Sequence, residues 1–353
     1  MTERPHPYRN LPGRQYWNAS VAAVPLVEFD PVGDVRLRID ADTRVAAAGS
    51  CFAQHISTFL ASGGYRFHVT ECGQGLSPEE ARARQFGLYS ARYGNIYTAR
   101  QLVQLTEEAL GLRTPAEVCW RTPEGRFVDA LRPQIEPGGF ATETEVMEAR
   151  RRHIEAVKRL LETAEVFVFT LGLTEAWFLK KDGGVYPLAP GVAAGAYDDA
   201  RYGFVNFSAA DVTADLERFV ELTRGVNPSL RYILTVSPIS LAATYEPRSV
   251  LVSTAYSKAA LRVAAQAVYD AHDYVDYFPS YEIVTGPQTH GVYFEEDHRS
   301  VNAAGVAHAM RLFDRHYLRG GRAEPSPGKA APLTASRVIC DEELMAADPE
   351  AWF

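Results

Sequence analysis

Short apolar runs alternate with longer stretches in which apolar residues recur at three- and four-residue spacing, from about residue 44 to residue 317. Val45 to Ala48 is the first run; Gly49 ends it, and Phe52, Ile56, Phe59 and Leu60 then fall on one face of a helix. That spacing predicts a helix over 51–62, closed by Gly63-Gly64. Residues 65–70 alternate as a second strand. Ser77-Pro78-Glu79-Glu80 reads as a capped helix start, and Thr98 caps a helix reaching about residue 110. A long helix is expected over 143–163. The run Val166-Phe-Val-Phe-Thr-Leu171 follows it and reads as a strand buried on both faces. Helices over 211–225, 253–272 and 300–317 then alternate with strands at 232–236 and 274–278.

Strands alternating with helices specify an α/β fold: a mostly parallel sheet with helices on both faces, a three-layer sandwich. Two segments interrupt the alternation. Residues 114–141 carry a hairpin signal around Thr122-Pro-Glu-Gly125 and are expected to lid the site. Residues 177–206 carry a second hairpin around Asp182-Gly183-Gly184, followed by a Gly/Ala/Tyr-rich loop over 191–206. The expected organisation is an N-terminal arm (1–33), an α/β domain (34–318) holding both insertions, and a C-terminal tail (319–353). Tyr8, Tyr16, Trp17 and Phe29 are expected to anchor the arm, and Trp352 and Phe353 the tail.

Composition narrows the function classes. The 353 residues are 46% hydrophobic and 23% charged, ample for a large core. Net charge is −8 with both signs interspersed and no Lys/Arg tract, which argues against nucleic acid as a partner. No apolar run approaches the roughly 18 residues of a membrane span. The first 16 residues lack the apolar core of a signal peptide. Cys51, Cys72, Cys119 and Cys340 have no metal or C-x-x-C spacing, so free thiols in the cytoplasm are the expectation. No dinucleotide or Walker motif occurs, and no cofactor or metal is expected. Oligomeric state is not legible.

In an open α/β sheet the chemistry sits outside the carboxyl ends of the strands. The loops after residues 48, 171, 236 and 278 should therefore share one rim. Ser50, on a strand–Gly–Ser–helix turn, is the nucleophile candidate: such a turn holds a hydroxyl exposed with its own N–H ready for an oxyanion. The competing reading is an ordinary N-capping serine. Cys51 is the rival nucleophile, a thiol in the first turn of a helix. His55 lies about 140° around the helix from Ser50, too far round to serve it.

Gly49-Ser50-Cys51-Phe52-Ala53 resembles the signature from which the GSCFA-domain family is named. Ala91-Arg-Tyr-Gly-Asn-Ile-Tyr-Thr98, Thr170-Leu-Gly-Leu-Thr-Glu-Ala-Trp177, Thr235-Val-Ser-Pro238 and Phe294-Glu-Glu-Asp297 fit the same family. That family looks like a branch of the SGNH hydrolase superfamily, three-layer α/β enzymes with a Ser nucleophile after the first strand. The resemblance implies a serine esterase or O-acyl (acetyl) transferase acting on a small acyl ester, with carbohydrate favoured as the alcohol. It implies oxyanion donors from a Gly N–H, in the Gly172 turn, and from an Asn side chain, for which Asn95 is the natural residue; Thr174 stands where that turn's Asn would be, so either Thr174 Oγ donates or Asn95 takes over. Arg92 and Arg299 could bind an anionic acyl donor or an acidic sugar, and Glu175 pairs with an Arg or orients the oxyanion hole. The superfamily's Asp-x-x-His is broken, because Ser300 lies three residues after Asp297. The frame Glu295-x-x-His298 fits instead, with His298 as base, Glu295 or Asp297 as its orienter, and His290 in reserve. His308 and His316 read as structural. The broken frame also leaves open a different class: a non-catalytic carbohydrate- or ligand-binding module on the same fold.

Overall fold

The computed structural model describes residues 6–320 and 338–345. In chain order its elements are β1 (Val45–Gly49), α1 (Ala53–Ser62), α2 (Pro78–Ala83), α3 (Ala99–Ala109), β2 (Cys119–Arg121), β3 (Phe127–Asp129), α4 (Glu143–Thr163), β4 (Val166–Leu171), β5 (Glu175–Leu179), β6 (Val185–Tyr186), β7 (Tyr202–Asn206), α5 (Ala209–Val226), β8 (Arg231–Val236), α6 (Val250–Ala271), β9 (Val275–Tyr277), α7 (Ser280–Thr285) and α8 (Ala303–Tyr317). The central sheet has the order β1-β4-β8-β9, every pairing parallel, with Gly49 opposite Thr170 and Leu171 opposite Val236.

The alternation of side chains along these strands builds three layers. Ala46, Ala48, Phe167, Phe169, Leu171, Tyr232 and Leu234 join one core with α3, α4, α5 and α6. Val45, Ala47, Val166, Val168 and Ile233 face the other way, into a second core with α1, α7 and α8. The expected α/β sandwich is therefore the observed one.

The expected strand over 65–70 is reduced to a single bridge, Val45 to Phe67. The outer edge of β1 is instead covered piecewise by loop backbone: His68 N–H donates to Val45 O, Ser90 Oγ accepts from Ala47 N–H, and Ile96 N–H donates to Gly49 O. That covering protects an edge strand and brings Asn95 to the end of β1.

The insertions pack on each other. β2–β3 is the expected hairpin, and Trp120, Val128 and Ala130 share a small core with Leu179, Tyr186 and Tyr202. It thus covers the second insertion, and none of its residues lines the cavity at Ser50. Part of the expected loop over 191–206 is a third strand, β7, antiparallel to β5. Gly203 disguised it in the sequence. A Cβ there would meet the Phe178 ring at 2.6 Å, so the glycine is a cross-strand seat for an aromatic ring and not a turn. The arm is fastened by polar contacts, His308 Nε2 with Phe29 O (2.8 Å) and His316 with Asp30 (2.7 Å), and by Leu26 and Val32 packed against the second core. Of its aromatics Phe29 is buried, whereas Tyr8 and Trp17 are exposed. Trp352 and Phe353 lie outside the described residues. No helix among the described residues is long and apolar enough to cross a membrane.

Candidate active site

Ser50 follows β1 directly and is 3% exposed. Gly49 makes the turn possible: its φ is +140°, and a Cβ there would stand 2.4 Å from Thr170 O. The helix starts at Ala53, with Phe52 rather than Ser50 at the N-cap and no side-chain cap. Ser50 Oγ is buried and has no hydrogen-bond partner. A capping serine would have its Oγ on a helix N–H, so the N-cap reading fails. A buried hydroxyl with no protein partner costs roughly 1–3 kcal/mol unless something else in the site bonds it.

The loops expected at the rim do meet there. Ser50, Cys51, Tyr97, Gly172, Leu173, Ser237, Ile239, Ser240, Leu241 and Glu342 enclose a cavity of about 10 Å³, room for about one water. Gly172 is in the tightest contact, since a Cβ on it would lie 3.0 Å from Ser50 Cβ. Most expected oxyanion donors are already engaged. Ser50 N–H donates to Thr170 O (3.1 Å), continuing the ladder, and Gly172 N–H donates to Tyr97 O (3.0 Å). Thr174 Oγ1 donates to Asn206 Oδ1 (2.7 Å), and its N–H to Ser257 Oγ. Asn95 Nδ2 alone among them donates to the C-terminal segment: to Ile339 O at 3.1 Å and Asp341 Oδ2 at 3.0 Å.

The structure does not bring His298 to Ser50. Residues 294–301 form a tight hairpin, closed by the Phe294–Val301 bridge, with His298 N–H on Glu295 O and His298 in a left-handed conformation (φ 53°). His298 and Glu295 are exposed. Asp297 accepts from Arg299 N–H, Ser300 N–H and Ser300 Oγ, so Asp297-x-x-Ser300 is a turn-closing motif and not an orienter. His290 is likewise exposed and left-handed. Burial pushes His55 down to about 4, which keeps it neutral.

Arg299 is the hairpin residue that enters the site. Its Nε donates to Ser240 O (3.0 Å) and its Nη2 to Glu342 Oε2 (3.0 Å). Arg92 goes elsewhere: it is buried in an ion pair with Glu136 (2.7 Å), holding the 84–94 loop to the first insertion. Glu175 accepts from Thr244 Oγ1 (2.6 Å) and Tyr245 N–H (3.1 Å), tying the β8–α6 loop to β5 instead of pairing with an arginine.

Two groups in the site had no clear signal in the sequence. Lys258, on α6, is 2% exposed and donates to Gly172 O at 2.6 Å. Burial lowers it to about 8. A lysine between Ser257 and Leu261 on the buried stripe of α6 was the available hint. The other is the segment 338–345. The Gln54 amide brackets Ile339, donating to its O (2.8 Å) and accepting from its N–H (3.0 Å). Asp341 N–H donates to Tyr97 Oη (3.1 Å). Cys340 lies against Cys51, whose thiol is pushed up by that hydrogen bond and by burial; a raised thiol is a poor nucleophile near neutral pH. Beyond the segment lies a cavity of about 610 Å³ whose lining includes Cys51, His55, Arg82, Asp297, Arg299 and Cys340.

A parallel three-layer sheet with an unbonded serine buried at the carboxyl end of β1, flanked by loops from β4 and β8, defines the class: an α/β protein with its site at the strand ends. The chain belongs to the GSCFA family, whose model matches residues 44–313. No curated protein matches it. Among solved structures it is similar to the salicylyl-acyltransferase SsfX3 from a tetracycline biosynthetic pathway, at 17% identity over 46% of this chain and 40% of that one, with a TM-score of 0.27. It is also similar to a carbohydrate esterase family 3 protein from Talaromyces cellulolyticus, at 12% identity over 77% of this chain and 95% of that one, with a TM-score of 0.30. Likeness at this level carries nothing about chemistry.

Proposed function

We propose that this chain is a serine-dependent ester hydrolase or O-acyltransferase acting on a small acyl ester, with a carbohydrate as the alcohol. The observation that carries the reading is Ser50 Oγ, buried and unbonded at the end of a parallel strand. Ser50 attacks the acyl carbonyl, the ester C–O bond breaks, and the alcohol leaves; water or a sugar hydroxyl then takes the acyl group. Asn95 Nδ2 is the donor that the C-terminal segment's departure frees for the oxyanion. The Ser50 and Gly172 N–H groups hold the loops in place. Four free cysteines, two of them buried side by side, favour a reducing compartment such as the cytoplasm.

Ser50 needs a proton acceptor. His298 can serve only if the 294–301 hairpin turns it inward. Burial beside Gly172 favours a second candidate, Lys258, since an amine lowered to about 8 is neutral often enough to act as base. The pH profile separates them: kcat/KM rises through about 6 to 7.5 for a histidine base and through about 8 for Lys258. The nucleophile is tested by intact mass after a fluorophosphonate probe, on wild type and on Glu342→Ala. One adduct that Ser50→Ala abolishes is the expected result. No adduct on either protein would establish the binding-module reading instead.

A further inference from the structure

The C-terminal segment does more than cover the site. We propose that Arg299 forms a carboxylate subsite beside Ser50, and that Glu342 is its resident occupant, standing where the carboxylate of an anionic ester would bind. The word "ester" rests on the reading of Ser50 as nucleophile; the subsite itself does not.

Three observations carry this. First, one arm of the guanidinium is anchored outside the tail, with Nε on Ser240 O (3.0 Å), while Nη2 turns to the tail, to Glu342 Oε2 (3.0 Å) and Cys340 Sγ (3.6 Å). A planar fork so held suits a carboxylate. The Ala242 backbone and the nearby Lys258 charge also favour the ionised carboxylate of Glu342.

Second, the occupant fits incompletely. Glu342 is 4% exposed, yet its Oε1 is buried with no partner, as is Asp341 Oδ1. A structural ion pair of this burial would be stable only with its remaining lone pairs satisfied. A carboxylate ligand that satisfies both oxygens would outcompete it. The tail takes a second polar group of the site as well, since Ile339 O and Asp341 Oδ2 occupy Asn95 Nδ2.

Third, the volume decides between two roles for Glu342. Were it the base for Ser50, an ester would have to fit beside it, and the space there is about 10 Å³. The larger cavity shares Cys51 and Ile239 with the small one. Withdrawing the segment joins the two and opens a route to Ser50. Glu342 therefore excludes substrate and mimics it.

The experiment uses the full chain with Glu342→Ala and glutarate as probe, read by titration calorimetry. Saturable glutarate binding is expected in Glu342→Ala, at least tenfold tighter than in wild type, where the tail competes, or in Glu342→Ala/Arg299→Gln. In parallel, Glu342→Ala should hydrolyse p-nitrophenyl monosuccinate at least tenfold faster than wild type, with a smaller gain on neutral p-nitrophenyl acetate. Glutarate binding with no hydrolysis of either ester leaves the subsite standing and removes the acyl-transfer reading. Equal gains on both esters with no glutarate binding remove the subsite and leave that reading intact. A hundredfold loss of turnover in Glu342→Ala would make Glu342 the base and overturn the proposal. Should Glu342→Ala not fold, Arg299→Gln in the otherwise wild-type chain removes the guanidinium and leaves the tail's own residues in place. Amides 338–345 should then exchange at least tenfold faster than in wild type, and unchanged exchange would overturn the proposal.

Discussion

The hold of the C-terminal segment on the site should depend on pH, and Asp341 is one source of that dependence. Its carboxyl is fully buried, and burial pushes it from 3.8 up to about 7 against the opposing hydrogen bond from Asn95. At 1.36 kcal/mol per pKa unit, that rise disfavours the ionised, docked form by about 4 kcal/mol. The sign follows from proton uptake. An acid whose docked pKa is raised binds more protons docked than free between pH 3.8 and about 7. Docking is thus fully favourable below that window, weakens by up to tenfold per pH unit across it, and is flat above it. Burial raises Glu342 as well, which adds a slope of the same sign. The measurement is hydrogen-exchange protection of amides 340–343, corrected for intrinsic exchange, at pH 5, 6, 7 and 8. Protection in wild type should fall with pH and level off near 8, and Asp341→Asn should lose about one decade per pH unit of that slope. A flat or rising wild-type profile, or an unchanged slope in Asp341→Asn, refutes the reasoning.

Asn95→Ala should lower kcat by roughly 10²-fold with little change in KM if its amide serves the oxyanion, and steady-state rates within twofold of wild type would remove it from the site. Gly49→Ala should cost at least about 3 kcal/mol in a denaturant melt, because the added Cβ would lie 2.4 Å from Thr170 O at a φ of +140°; a cost under about 1 kcal/mol would contradict the strained turn. Asp129→Ala should cost about 3–5 kcal/mol, since it leaves Arg132 (2.7 Å) and Arg150 (3.1 Å) facing a void. Burial raises Asp129, but the two arginines outweigh it and hold it at about 2. Its stabilisation is therefore present above pH 3.8 and lost as pH falls toward 2, which acid unfolding of wild type against Asp129→Asn would show.

Local spacing was enough to determine most of the architecture. Val45–Gly49, Val166–Leu171 and Arg231–Val236 are apolar runs that only a doubly covered sheet can bury. The helices between them carry their own caps, such as Thr142 and Ser208. A parallel sheet then obliges the loops at its carboxyl ends to meet, which is why Ser50, Gly172 and Ser237 were expected on one rim and share one cavity. These features depend on neighbours within a few residues, so one chain suffices to read them.

What tertiary structure alone decided is where side chains from distant segments meet. Asn95 comes to the end of β1 because loop backbone covers that strand's edge, with Ile96 N–H on Gly49 O, and Lys258 lies under Gly172 because α6 crosses the sheet there. Spacing gave His298 a carboxylate three residues back, but a hairpin with a left-handed residue sends His298 outward and its neighbour Arg299 inward. Glu342 arrives from a segment with no apolar period, 43 residues beyond Arg299, and pairs with it at 3.0 Å. Excluding water strengthens the attraction of that pair and also imposes the cost of desolvation, and both are set by the closed cleft and by no stretch of sequence within it.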